Sequence, residues 1–143
     1  MQARWASASL IQILKSATEP YDSKGAGKFS ISGPDINITS GAVVAFAMSL
    51  NELCTNTTKF GALSVPGGRV AIAWRIDEET NRLKFKWIES GGPKVSAPVK
   101  QSFGTRLIGS MGQQLKGEVK LTYSPEGFAY ALDVPMSSLV PVA

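Results

Sequence analysis

Residues 69–90 read Arg69-Val70-Ala71-Ile72-Ala73-Trp74-Arg75-Ile76-Asp77-Glu78-Glu79-Thr80-Asn81-Arg82-Leu83-Lys84-Phe85-Lys86-Trp87-Ile88-Glu89-Ser90, and this stretch decides the fold. Val70, Ile72, Trp74 and Ile76 alternate with Ala71, Ala73 and Arg75; Leu83, Phe85 and Trp87 alternate with Lys84, Lys86 and Ile88. A period of two puts each apolar set on one face of a strand. The polar run Asp77 to Asn81 joins the two strands as a hairpin. Its apolar face needs a cover.

Working outward, the cover is found on both sides. Upstream, Leu10, Ile11, Leu14 and Ala17 recur at helical spacing within residues 8–18, and Glu19-Pro20 closes that helix. Short strands are expected at Lys28–Ser32 and Ile36–Ile38, around the turn Gly33-Pro34-Asp35. Thr39 or Ser40 then caps a long helix from about Gly41 to Phe60, with Pro66-Gly67-Gly68 as the turn into the hairpin. Downstream, a loop rich in Gly, Pro, Ser and Lys runs from Ser90 to Phe103. A helix follows over Thr105–Lys116, with Leu107, Ile108, Met111 and Leu115 on one face and Gly117 as its C-terminal cap. Two strands, Glu118–Tyr123 and Phe128–Val134, flank Ser124-Pro125-Glu126-Gly127. The order α-β-β-α-β-β-loop-α-β-β predicts an α+β two-layer sandwich, its sheet mixed but mostly antiparallel, its helices on one face. No repeat or long linker divides the chain, so residues 1–143 read as one domain, of a size that buries roughly 70% of its unfolded surface.

Composition narrows the chemistry. The 143 residues hold 15 Lys+Arg against 11 Asp+Glu, no His and one Cys. Without imidazole there is no Ser-His-Asp or Cys-His catalysis and no His-ligated zinc or haem. One Cys excludes disulfide frameworks and CxxC sites and fits a reducing compartment. The net charge of +4 is scattered rather than clustered, which argues against nucleic acid as a partner. No stretch reaches the roughly 20 apolar residues of a membrane span, and the amphipathic start does not read as a signal peptide. A cytoplasmic domain without membrane contact is expected. The two N-x-[ST] matches, at Asn37 and Asn56, then read as chance.

The long helix carries the first candidate site. At 100° per residue, Val43, Ala47, Leu50 and Cys54 lie within about 40° of one line and read as its core stripe. Cys54 there is a small buried residue rather than a nucleophile. Glu52, Asn56 and Lys59 lie nearly opposite, within about 60° of each other. They form either a solvated face with one ion pair or a metal–phosphate site, in which the amide ligates Mg²⁺ and the ammonium meets phosphate. The second candidate is Trp87-Ile88-Glu89-Ser90-Gly91-Gly92-Pro93. Alternation puts Glu89 on the apolar face of its strand, where a carboxylate needs partners. Either the strand frays first, or Glu89 sits at the mouth of an apolar slot, able to accept from an exocyclic amine such as that of adenine. Gly91 and Gly92 would let the backbone approach a ligand closely.

Taken in order, these places resemble the HWE family of bacterial sensor histidine kinases, specifically its ATP-binding catalytic domain within the GHKL ATPase superfamily. The resemblance runs from about Trp5 to Pro135. Met48 to Ser64 is similar to the family's N box, Trp87-Ile88-Glu89 with Ser90-Gly91-Gly92-Pro93 to its WxE motif and glycine box, and Ser102 to Ile108 to the second glycine box after the ATP lid. It implies a Bergerat-type fold, with ATP and Mg²⁺ as ligands. Asn56 would be the metal ligand, and Glu52 the catalytic carboxylate that holds the metal's water shell or assists transfer. Asn51, Lys59 and Phe60 would complete the N-box side of the nucleotide site. Glu89 would read adenine, Gly91 and Gly92 would open the pocket, and Lys94 would begin a short lid. Gly104 and Thr105 would offer helix N-terminal N–H groups to phosphate.

The sequence departs from the pattern at three places: Asn51 stands where the family has His, Thr57 and Thr58 where alanines are usual, and Ser102 where a glycine opens the lid box. Gly25-Ala26-Gly27-Lys28 imitates a phosphate loop but lacks its leading glycine and the Ser or Thr after Lys, so it reads as a plain loop. The resemblance implies transfer of the γ-phosphoryl group from ATP to a His on the helical phosphoacceptor region of the same full-length kinase, and from there to a response regulator. The alternative is a degenerate, non-catalytic module that docks a response regulator or partner kinase; Asn51 and Ser102 motivate it. A protein-serine kinase of the anti-sigma type is a third reading, disfavoured by WxESGGP.

Overall fold

The computed structural model describes residues 7–22, 27–94 and 103–140. The elements, in chain order, are β1 (Ser7–Ser9), α1 (Leu10–Thr18), β2 (Phe29–Ser32), β3 (Asn37–Thr39), α2 (Ser40–Lys59), β4 (Arg69–Asp77), β5 (Arg82–Ser90), α3 (Phe103–Gln114), β6 (Glu118–Ser124) and β7 (Gly127–Pro135). Short 3₁₀ turns lie at Glu19–Tyr21, Ala62–Ser64 and Met136–Ser138. The expected hairpin is present, with Val70 opposite Glu89 and Trp74 opposite Phe85. It forms the centre of a five-stranded sheet in the order β2-β4-β5-β7-β6, in which only β2 and β4 are parallel. The helices cover the face bearing Val70, Ile72, Trp74, Leu83, Phe85, Trp87, Tyr130 and Leu132, all buried, while Ala71, Ala73, Arg75, Lys86 and Ile88 face out. The α+β two-layer reading holds.

Aromatic packing ties the layers together. Phe85 of β5 meets Phe46 of α2 edge-on at 5.5 Å and Tyr130 of β7 at 6.2 Å, with Trp74 stacked on it at 6.3 Å. Such pairs contribute about 1 kcal/mol each beyond their area. The Trp74 indole N–H donates to the Pro34 carbonyl at 2.7 Å, so the turn before β3 is pinned to the sheet.

Three local expectations change. First, α1 begins at Leu10, because Ser7, Ala8 and Ser9 are held extended as β1 by antiparallel pairing with β3. Ser9 caps α1, its Oγ accepting from the Gln12 N–H at 3.2 Å, and Asp35 joins it, accepting from Ser9 Oγ at 2.7 Å and from the Ile11 N–H at 3.2 Å. Second, the buried stripe of α2 is Ala42, Ala45, Phe46, Ser49, Leu50, Leu53, Cys54 and Thr57; Val43 is half-buried and Ala47 is exposed. At 100° per residue this stripe is centred about 80° from the expected one, so Glu52 and Asn56 flank the core instead of opposing it. Apolar residues from Val43 to Met48 surround the helix, and contacts with α1, α3 and the sheet choose among them. Third, Lys116, not Gly117, adopts the left-handed conformation after α3, at φ +60°. The Lys116 and Gly117 N–H groups donate to Gln113 and Gly112 carbonyls at 2.8 and 3.0 Å, the paired bonds of a Schellman cap. Gly117 packs closely on β7: a Cβ there would lie 3.0 Å from the Asp133 carbonyl oxygen. Ile108 and Leu115 are buried as expected; the Leu107 and Met111 side chains lie outside the described residues.

Candidate functional site

β5 does not fray before Glu89; it runs through Ser90 and keeps Glu89 on the inner face, only 4% exposed. Glu89 Oε1 accepts from the Ala62 backbone N–H at 3.1 Å, and Oε2 accepts from the Trp87 indole N–H at 2.9 Å. Two N–H donors replace the water that burial removes, which is what a buried carboxylate requires. Ala62 opens the 3₁₀ turn just past α2, and the N–H of the preceding Gly61 donates to the Asn56 and Thr57 carbonyls at 3.0 and 3.2 Å. Glu89 is therefore held against the last turn of the helix that carries Asn56. Thr57, fully buried, accepts from the Leu63 N–H through Oγ1 at 3.4 Å, a bond that alanine could not make.

Small residues let these backbones meet. A Cβ on Gly61 would lie 2.3 Å from Glu89 Oε1, and one on Gly92 would lie 2.4 Å from Ala62 Cα. Gly91 adopts φ +74°, and its Cβ would lie 2.4 Å from the Gly67 carbonyl oxygen. The close approach made here is to the chain's own Ala62 and Pro66–Gly68 turn, because two loops converge beside Glu89.

On α2, Glu52 and Asn56 are half-buried and Lys59 and Phe60 are exposed, Phe60 at 74%. No ion pair joins Glu52 to Lys59, and neither the Glu52 nor the Asn56 side chain is hydrogen-bonded to a described residue. The ion-paired reading of this face therefore lacks its pair. The structure keeps Glu52, Asn56 and Lys59 together and sets Asn51 apart. Asn51 is exposed; its Oδ1 accepts from the Tyr21 hydroxyl at 3.5 Å, across a groove between α1 and α2 that Ala47 also lines.

α3, which opens at Phe103 with Gly104 and Thr105 in its first turn, packs against α2. Lys94 is exposed. The side chains of residues 103–107, the lid residues 95–102 with Ser102, and Gly25 and Ala26 of the glycine-lysine loop lie outside the described residues, as does Trp5. Among the described residues no three acidic, Cys or His side chains cluster as a metal site.

Cys54 is buried as expected, its thiol 3.7 Å from the Ala17 carbonyl. Burial first, and then the nearby Glu89 charge, push its pKa up to about 12. Sequence reasoning missed the two donors that hold Glu89. One was visible in principle: residues i and i+2 share a strand face, so Trp87 and Glu89 had to be neighbours. The Ala62 N–H was not, since it comes from 27 positions away.

No protein-family model matches the chain. A blue-light-activated histidine kinase of Brucella ovis is 33% identical over 140 residues, covering 96% of this chain. A blue-light-activated histidine kinase of Erythrobacter litoralis superposes with a TM-score of 0.72 at 18% identity, over 90% of this chain and 41% of that one. Over nearly its whole length the chain is thus similar to part of a histidine kinase, and it shares the fold of one. The ATP-binding domain of PrrB from Mycobacterium tuberculosis shares the fold as well, with a TM-score of 0.63 at 17% identity over 91% of this chain and 96% of that one. The chain spans 29% of the length of the Brucella ovis relative.

Proposed function

We propose that this domain binds ATP with Mg²⁺ and transfers the γ-phosphoryl group to a histidine supplied by a separate helical phosphoacceptor region. Glu89 carries the reading: a buried carboxylate is held by two N–H donors at the end of the one helix that presents Glu52, Asn56 and Lys59 together. A carboxylate so placed can accept from the exocyclic amine of adenine. Phe60, exposed at the end of the same helix, offers a ring for the base to pack on.

The residues fit the metal. Mg²⁺ characteristically takes one or two protein ligands and completes its shell with phosphate oxygens and water, so the absence of an acidic cluster among the described residues is compatible with it. Asn56 would hold it through the amide oxygen, with Glu52 one turn earlier orienting its water. The chemistry Mg²⁺ would supply there is neutralisation of phosphate charge. Lys59 meets phosphate oxygens from the same face, and the N-terminal turn of α3, with Gly104 and Thr105, contributes backbone N–H groups. In the transfer the bond between the γ-phosphorus and its bridging oxygen breaks, a phosphorus–nitrogen bond forms to the acceptor imidazole, and ADP leaves. Glu52 would take the imidazole proton. A response regulator aspartate then receives the phosphoryl group. This chemistry belongs in the cytoplasm; no helix among the described residues is long and apolar enough to cross a membrane.

Asn51 faces Tyr21 and the α1–α2 groove, so its departure from His leaves the phosphate side of α2 unchanged. Calorimetry tests the binding step: ATP heats that require Mg²⁺ and vanish in Asn56→Ala support the reading, and a folded sample that gives no nucleotide heat sinks it. Adding a histidine-bearing helical region and γ-labelled ATP tests the transfer. Labelled phosphohistidine is the expected product. Nucleotide or partner binding without that product would establish the docking module instead.

A further inference from the structure

We infer that Trp87 is a positioning residue for base recognition: its indole N–H fixes the Glu89 carboxylate in the orientation that distinguishes a 6-amino from a 6-oxo purine. The inference rests on the reading of Glu89 given above. Trp87 is fully buried, and its ring packs edge-on against Phe29 with centroids 6.0 Å apart, so turning the indole would require its neighbours to move. Its N–H donates to Glu89 Oε2 at 2.9 Å, while the Ala62 N–H holds Oε1 at 3.1 Å. One donor leaves a carboxylate able to swing about it; two donors on separate oxygens fix the carboxylate plane. Each oxygen keeps one further acceptor direction, and those directions are set by where the two donors stand.

A carboxylate offers only acceptors, so in the fixed plane it rewards an amine donor and opposes a carbonyl oxygen. That difference is the source of discrimination, because a site built to pair a polar group rejects the analogue that cannot pair. Gly61 contributes by absence: any side chain there would strike Glu89 Oε1 and turn the plane. A tryptophan serving only as core would need its ring but not its nitrogen. The nitrogen is therefore the atom to test.

Two variants separate ring from nitrogen: Trp87→Phe, and the same position carrying benzothienylalanine, which keeps the bicyclic shape and replaces N–H by sulfur. Calorimetry would give the affinities of wild type and variants for ATP and for inosine triphosphate, both with Mg²⁺, beside melting curves. Losing a hydrogen bond to a charged group should weaken ATP binding about tenfold while inosine triphosphate changes far less, so the ratio of the two affinities falls by about the same factor. An unchanged ratio in either folded variant would overturn the inference and leave Trp87 as core. An isosteric variant that fails to fold would overturn it as well, by assigning the N–H to the fold. If wild type binds neither nucleotide, the proposed function itself has failed, a result distinct from both.

Discussion

The two halves of the site are built on opposite principles. Around Glu89 the buried side chains are tied to their neighbours: the carboxylate accepts from Ala62 and Trp87, Thr57 accepts from Leu63, and glycines at 61, 91 and 92 allow backbones to touch. Around Asn56 the side chains of Glu52, Asn56 and Lys59 share a face without hydrogen bonds to any described residue, and Lys59 and Phe60 stand in solvent. On the proposed function, the difference suits the ligands the two halves would meet. A neutral base is recognised by direction, so its acceptor must be rigid before binding. A phosphate and its metal ion bring their own charge and water, so flexible side chains around them suffice.

Four measurements can break or sharpen this contrast. The largest effect belongs to Cys54, which is buried close enough to Glu89 to feel its charge. Raising its pKa from 9.0 to about 12 cuts the thiolate fraction at neutral pH about a thousandfold. Alkylation of the native protein should be slower than that of unfolded chain by at least about this factor; prompt labelling would mean that the Glu89 side is not closed. The same shift bears on alkaline stability. The folded value lies above the unfolded one, so the contribution is intact below about pH 9 and is lost as pH rises toward 12.

Next, Glu89→Ala leaves two buried N–H groups without acceptors and should cost about 3 kcal/mol in urea unfolding. A loss under about 1 kcal/mol would show the carboxylate to be a passenger in the fold. Asn56→Ala should do the reverse, leaving urea stability within about 0.5 kcal/mol of wild type while weakening Mg²⁺-dependent ATP binding about a hundredfold. A large stability loss there would erase the distinction between the two halves.

The smallest effect lies far from both. Partial burial works to raise the Asp133 pKa, but hydrogen bonds from Lys84 and Arg82, and their charges, outweigh it and hold the carboxyl below the usual range. Its stabilisation is therefore present above about pH 4 and is lost as pH falls through its folded value. An Asp133→Asn variant should lose a little stability at pH 7 and converge with wild type in acid. This pair lies on the open face of the sheet at 28% side-chain exposure, so salt should screen most of it.

How much of this was legible beforehand depended on the range of each interaction. The hairpin of β4 and β5 was, because a period of two over nine residues admits one reading. Glu89 was placed on the inner face by the same alternation. The grouping of Glu52, Asn56 and Lys59 was also legible, since helical spacing fixes which residues share a face. The core stripe of α2 was not. With apolar residues from Val43 to Met48 on every side, periodicity could not rank them, and Ala47 came out exposed while Phe46 went in. Strand β1 was hidden by its three-residue length, and the Asp35 cap on α1 by a separation of 26 positions.

The sequence by itself determined the order of the longer elements, the inward side of each long strand, and the resemblance that pointed to a histidine-kinase catalytic domain. The first two rest on backbone periodicities, the resemblance on three motifs in order, and none of them needs a distant contact to be read. Only the tertiary structure decided which side of α2 is core, that Gly91 and Gly92 face the chain's own backbone, and that Glu89 is held by one donor from its own strand and another from the end of α2. Those outcomes depend on which surfaces meet in space, and a carboxylate can be buried only where the fold has already brought it two donors.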